Sequence, residues 1–253
     1  MVYGNGMVSK LYVNGDSHSA GAELDNDFCF ASDDPNFGNW FLYHTHREEI
    51  LRLYGKMPHY DNLWDSYGGN LSRLMNKPLI CDAISGSSND RILRTTKKYI
   101  EENRDVVVVI GWSTWERTEI LKNDVYYQAS ASGNDSLPKE IMPLYKEWIA
   151  NMTQEKLIEY EIEAHRIIYD FHKYLQSHNI KHLFFNTFTS FTNIPEQEQY
   201  DWDDCYLQPY DQDYTFYHYL KNKGYEPNIN YHHDKLAHRE WAKLLFDKIR
   251  FMM

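Results

Sequence analysis

Residues 105–112 read DVVVVIGW, with four valines and an isoleucine in unbroken order. A strand with one wet face alternates apolar and polar side chains, so a run without alternation belongs inside a sheet covered on both faces, as in parallel sheets. Parallel neighbours need long crossovers, and helices normally supply them. Three further apolar runs, LYVN at 11–14, PLICDAIS at 78–85 and KHLFFNTF at 181–188, carry the same signature. Helical periodicity falls between them. Apolar residues recur in a helix near 61–75, a second helical stretch follows residue 88 to about Asn103, and Leu157, Ala164, Ile168, Phe171 and Leu175 line one face of a long helix from Thr153 to His178. A last helix carries Ala237, Trp241, Leu244 and Leu245 on one stripe. Strands alternating with helices predict an α/β fold, a parallel sheet with helices on both faces.

At 253 residues the chain suits a single sizeable domain over 1–253. Three cysteines, Cys29, Cys81 and Cys205, are odd in number and lack metal-ligand spacing, so neither a disulfide framework nor a zinc cluster is expected, and a reducing compartment is the default. A net charge of −11 disfavours nucleic acid and anionic membranes as partners. The opening MVYGNGMVSK has no apolar stretch of signal-peptide length and no run reaches membrane-spanning length, so the expectation is a soluble protein without a Sec-type signal, no membrane partner and no cofactor.

The first strand leads into GDSHSAG, residues 15–21. Glycines flanking a serine at a strand-to-helix turn allow the tight backbone that exposes a nucleophile, although the same residues also serve as plain helix caps. Ser17 is the candidate nucleophile, with Asp16 and His18 as local accessory candidates. The second strand ends in SGSSNDRI, residues 85–92, where Ser87 or Ser88 suits a helix N-cap. The central strand ends at Ser113 and Thr114, with Arg117 nearby, readable as a pocket border or as a solvated turn pairing Arg117 to Glu116 or another acid. HHDKLAH, residues 232–238, precedes the last helix. Ligands of open parallel sheets sit at the carboxyl ends of the strands, where these turns gather.

In this order the blocks resemble the SGNH (GDSL-like) hydrolase family, over nearly the whole of residues 11–250. GDSHSAG matches its first block at Ser17, AISGSSND its second at Gly86, and HHDKLAHREWA its last, where a six-residue step joins His232 to His238. The resemblance implies a flavodoxin-like three-layer sandwich and ester hydrolysis without metal. Ser17 would attack, His232 would act as base and then acid, and the backbone N–H groups of Ser17 and Gly86 would hold the oxyanion. His238 would be structural. A one-residue slip would exchange His232 with His233. The third-block asparagine is absent after VVVVIGW; Ser113 or Thr114 stands in its region, and Asn89 could supply the donor or be a turn residue. The acid expected three residues before the base falls at Ile229, so Asn230 or a backbone carbonyl would have to orient the imidazole in a Ser–His dyad. Both departures leave room for a non-catalytic descendant of the fold.

Long excursions are expected at about 25–60, 116–150 and 189–227. They hold much of the 16% aromatic content, interleaved with Asp and Asn, which suits a sugar surface, although the stretch 200–217 could equally be a satellite core. SGSSNDRI and the aromatic excursions look most like SGNH-type proteins of tailed bacteriophages, which would make the protein virion-associated. The implied partner is a small-molecule or glycan ester, with O-acetylated carbohydrate favoured. Glu161, His165 and His172 fall at helical spacing and read as an exposed polar face, and no metal is expected there or at His233 and Asp234.

Overall fold

A computed structural model describes residues 10–24, 29–31, 45–46, 48–49, 56–58, 60–131 and 137–251. Strands β1 (Lys10–Asn14), β4 (Leu79–Cys81), β5 (Val106–Trp112) and β8 (Lys181–Asn186) form one parallel sheet in the order β4-β1-β5-β8. All seven residues of β5 are buried, as its unbroken apolar run requires. Successive side chains point to opposite faces of a strand. Leu11, Val13, Val107, Val109, Leu183 and Phe185 therefore enter one core, and Tyr12, Val108, Ile110 and Phe184 the other.

The first core is closed by α3 (Tyr67–Met75), α7 (Phe216–Asn222) and α8 (Lys235–Arg250). The second is closed by α4 (Asn89–Glu102) and α6 (Gln154–Ser177). The result is the expected three-layer α/β sandwich. Helix starts follow local chemistry: Ser88 caps α4 by accepting from Arg91 N, Thr153 caps α6 through Lys156 N, and Asp234 caps α8 through Ala237 N. The helix expected near 61–75 is two pieces, α2 (Tyr60–Asp65) and α3, broken where Ser66 caps the second.

Two excursions have more structure than a sequence without sustained periodicity suggests. Within 116–150, β6 (Arg117–Lys122) and β7 (Val125–Ser130) form an antiparallel hairpin, followed by α5 (Met142–Ala150). Asn123 and Asp124 both take positive φ (52° and 60°), as a two-residue type I′ turn demands, and that Asn-Asp pair was the readable hairpin signal. Within 189–227, Tyr206 bridges Phe184 in parallel, and Leu207 N–H donates to Phe184 O, covering the outer edge of β8. Its aromatics Phe191, Trp202 and Tyr206 are buried in the second core. Most of 25–60 lies outside the described residues; those described include a short ribbon of β2 (Cys29–Ala31) and β3 (Lys56–Pro58).

This covering overturns the exposed-face reading of α6. Glu161, His165 and His172 are buried because the 189–211 segment lies over them. Glu161 accepts from Asn193 N and Nδ2, at 2.7 and 2.6 Å. Tyr210 OH accepts from Tyr200 N and Trp202 Nε1, so its own proton points to His165 Nε2 at 2.8 Å. No described helix is long and apolar enough to cross a membrane.

Helix α8 offers a test of this layering. Trp241 is fully buried between Phe185 and Phe216, whereas Leu236 on the same helix is 58% exposed. Trp241→Ala is expected to cost about 3–5 kcal/mol of unfolding free energy in urea titration. Leu236→Ala should stay within about 0.5 kcal/mol, and equal losses would contradict the assigned faces.

Candidate active site

The carboxyl ends of β1, β5 and β8 converge on Asp16. Its side chain caps α1 (Ser17–Ala20) by accepting from His18 N. Its other oxygen lies 3.3 Å from Ser113 Oγ, 3.2 Å from Arg117 Nη1 and 3.0 Å from Thr187 Oγ1. Arg117 therefore pairs with Asp16 and not with Glu116, and its Nη1 also donates to Ser113 Oγ at 2.8 Å. A carboxylate that is 1% exposed needs such a countercharge. The turn is tight: Gly15 has φ +153°, and a Cβ there would fall 2.1 Å from Ser19 Oγ and 2.7 Å from Gly111 O. This close approach fixes Ser17 at the first position of α1.

Ser17 is largely buried, and its side-chain oxygen makes no hydrogen bond among the described residues. Its backbone N–H, at the first helical position, has no acceptor within the helix. Gly86 takes φ +79° in an open turn, with nothing within 4 Å of where a Cβ would stand. Asn89 is committed elsewhere: its Nδ2 donates to Ser113 O at 3.0 Å and its Oδ1 accepts from Ser113 N at 2.8 Å. Both ends of that amide and the Ser113 N–H brace the loop, while the second Nδ2–H of Asn89 has no acceptor among the described residues. Thr114 is half-buried at the same loop, with no side-chain contact to Ser17 among the described residues.

The histidines separate cleanly. His233 is buried, its Nε2–H donates to Tyr217 O at 3.1 Å, and its ring packs on Phe216 and Tyr217. His238 accepts from Tyr67 N at 2.9 Å and is structural, as its place in the motif implies. Burial keeps the pKa of both rings below the ordinary value. His232 remains partly open, with its ring 5.3 Å from that of His18 and edge-on to it. No hydrogen bond joins it to Ser17 among the described residues.

What orients His232 is a residue that spacing within the last block does not reveal. Glu23 Oε2 lies 2.9 Å from His232 Nδ1. The same carboxylate accepts from Asn228 Nδ2 at 2.8 Å and Asn230 Nδ2 at 2.7 Å. Asn230 thus holds the acid and does not replace it. Partial burial pushes the Glu23 carboxyl up, but the three hydrogen bonds outweigh this and hold its pKa below the ordinary value. Glu23 and Tyr231 both adopt left-handed backbone, with φ of 63° and 67°, a strained choice for such side chains. Sequence reasoning missed Glu23 because it sits six residues after Ser17 and 209 before its partner. It missed Thr187 for the same reason of distance.

Beside this centre, Arg117 and Asn89 also line a pocket of about 260 Å³ with Trp112, Trp115, Trp148 and Tyr160. Among solved structures the chain is similar to a carbohydrate esterase family 2 enzyme plus carbohydrate-binding domain from Corynascus thermopiles (Myceliophthora fergusii). The identity is 13% and the TM-score 0.41, over 95% of this chain and 65% of that one. No protein-family model and no curated protein sequence matches the chain.

The buried His18 ring, packed on Phe188, Phe216 and His232, gives a pH signature. Burial, with His232, Arg117 and His233 adding to it against Asp16, lowers its pKa from 6.5 to about 4. The unfolded chain then binds a proton that the folded one refuses, so stability is fully present above pH 6.5 and falls as pH drops from 6.5 towards 4. His18→Phe is expected to flatten the urea-midpoint profile between those limits relative to wild type; an unchanged slope would rule out the buried neutral ring.

Proposed function

We propose that the protein is a serine esterase of SGNH type, in which Ser17, His232 and Glu23 form the catalytic triad. The observation that carries this reading is the Glu23–His232 contact. A carboxylate on Nδ1 fixes the proton there and leaves Nε2 with its lone pair free, the tautomer a general base needs. The acid missing from position 229 is supplied from the nucleophile's own turn. With substrate bound, Nε2 would remove the Ser17 proton as Oγ attacks the acyl carbon, then return it to the leaving alcohol; water would repeat the cycle on the acyl-enzyme. Catalytic hydrogen bonds are often long without substrate, so the open Ser17 hydroxyl is compatible with this role. The backbone N–H groups of Ser17 and Gly86 are the oxyanion donors, each worth about 2.7–4 kcal/mol in such sites.

The favoured substrate class is O-acetylated carbohydrate. Trp115, Trp148 and Tyr160, the partly exposed aromatics of the pocket beside Arg117, offer apolar surface for a sugar ring, and the small polar turn at Ser17 suits a small acyl group. A second reading, a glycan-binding or virion module that keeps the fold without catalysis, draws on the mutual bracing of Asn89 and Ser113, which ties both residues to the loop.

Hydrolysis of p-nitrophenyl acetate and acetylated glycans decides between them. Wild type should turn over and label with a fluorophosphonate at Ser17, and Ser17→Ala should abolish both. Glu23→Gln should lower kcat by roughly a hundredfold or more with little change in KM. Absence of turnover and labelling in the folded wild type would support the binding module instead, and a fully active Glu23→Gln would remove Glu23 from the triad.

A further inference from the structure

At the opposite end of the sheet, near the start of β8, three side chains meet that the proposed catalysis does not use. His172 of α6, His182 of β8 and Cys205 of the covering segment each present a ligand atom, all within 4.8 Å of one another. Both histidines are buried, and Cys205, a free thiol, is half-buried.

Burial favours the neutral form of both rings, and with both neutral their proton inventory is unsatisfactory without a cation. His182 Nδ1 lies 2.8 Å from Ile180 O, and a carbonyl only accepts, so Nδ1 carries the hydrogen and Nε2 is a bare lone pair. His172 Nδ1 stands 2.8 Å from that lone pair. If His172 is protonated at Nδ1 it bonds to His182, but its Nε2 lone pair then faces the Asp203 carboxylate, 3.6 Å away, with no other partner for this buried atom. If it is protonated at Nε2, towards Asp203, two lone pairs meet at 2.8 Å. A cation between the rings relieves both arrangements.

The surroundings are those of a ligand set. Histidines that bind metals usually direct the other ring nitrogen to a carbonyl or carboxylate, here Ile180 O and Asp203. Gln176 Nε2 donates to Asp203 Oδ2 at 2.6 Å and holds that carboxylate. Two imidazoles and a thiolate are borderline-to-soft donors, which favours zinc over magnesium or calcium.

We propose that His172, His182 and Cys205 bind one zinc ion that ties α6, β8 and the covering segment together, with solvent at the fourth position. This departs from the expectation that the chain holds no metal. Zinc–nitrogen bonds of about 2.0–2.1 Å at a tetrahedral angle need the ring nitrogens about 3.3 Å apart, so the rings part by roughly 0.5 Å. Binding releases one proton, that of the Cys205 thiol, while the His172 proton resides on Nε2.

The test uses untagged full-length protein, stripped with chelator and titrated with cobalt(II), whose thiolate charge-transfer band reports sulfur ligation, and with zinc. One equivalent of cobalt should give that band, and Cys205→Ser should abolish it and weaken zinc binding at least tenfold. Zinc at a hundred times its dissociation constant should raise the melting temperature by about 5–10 °C in wild type and not in the variant. His182→Asn, checked for folding by circular dichroism, should lose the band as well. No cobalt spectrum in wild type, or a spectrum that survives Cys205→Ser, overturns the site; the first result means a proton serves between the rings, the second that the ion binds other histidines.

Discussion

The carboxyl end of the sheet depends on one buried carboxylate. Asp16 follows β1 and receives hydrogen bonds or charge from the start of its own helix, the end of β5, the start of β6 and the residue after β8. Such a group is costly to bury alone, and removing one partner of a buried pair typically costs about 3–5 kcal/mol. Arg117 supplies the countercharge, and in doing so pins the hairpin β6–β7 to the turn that carries Ser17. The conformation of Ser17 is therefore a property of several separate elements, not of its own heptapeptide.

A second carboxylate solves a different problem. His232 lies in a loop just before α8, and Glu23 reaches it from the end of the first turn, held by two asparagines of the same loop as the histidine. The turn that carries Ser17 and the loop that carries His232 are thereby joined directly. The left-handed backbone at Glu23 and Tyr231 marks the conformational cost of that junction, which persists because the network around it leaves few alternatives.

The 189–227 excursion links this end to the rest of the fold. Its aromatic residues cover α6 and the free edge of β8, which otherwise would present an unpaired row of backbone groups. The same covering buries Glu161, His165 and His172 and brings Cys205 to His172 and His182. Of the two readings open for 200–217, a sugar lip or a satellite core, Trp202 and Tyr206 take the second, and Phe191 joins them in the same core.

By itself the sequence determined the sheet and its layers, because burial on both faces leaves no choice but unbroken apolar strands and amphipathic helices, and these are local patterns. It also located the turn at Ser17, through glycines that only close packing explains, and a helix cap at Ser87 or Ser88, of which Ser88 is the one used. Tertiary structure alone decided which histidine is buried against a backbone carbonyl and which meets a carboxylate, since His232 and His233 are neighbours distinguished by Glu23 and Tyr217 O. It likewise decided the company of Arg117, the commitment of Asn89 to Ser113, and the burial of the α6 histidines. Hydrogen bonds and ion pairs between remote residues leave no periodicity for a sequence to show; they exist only once the crossovers have brought the strand ends together.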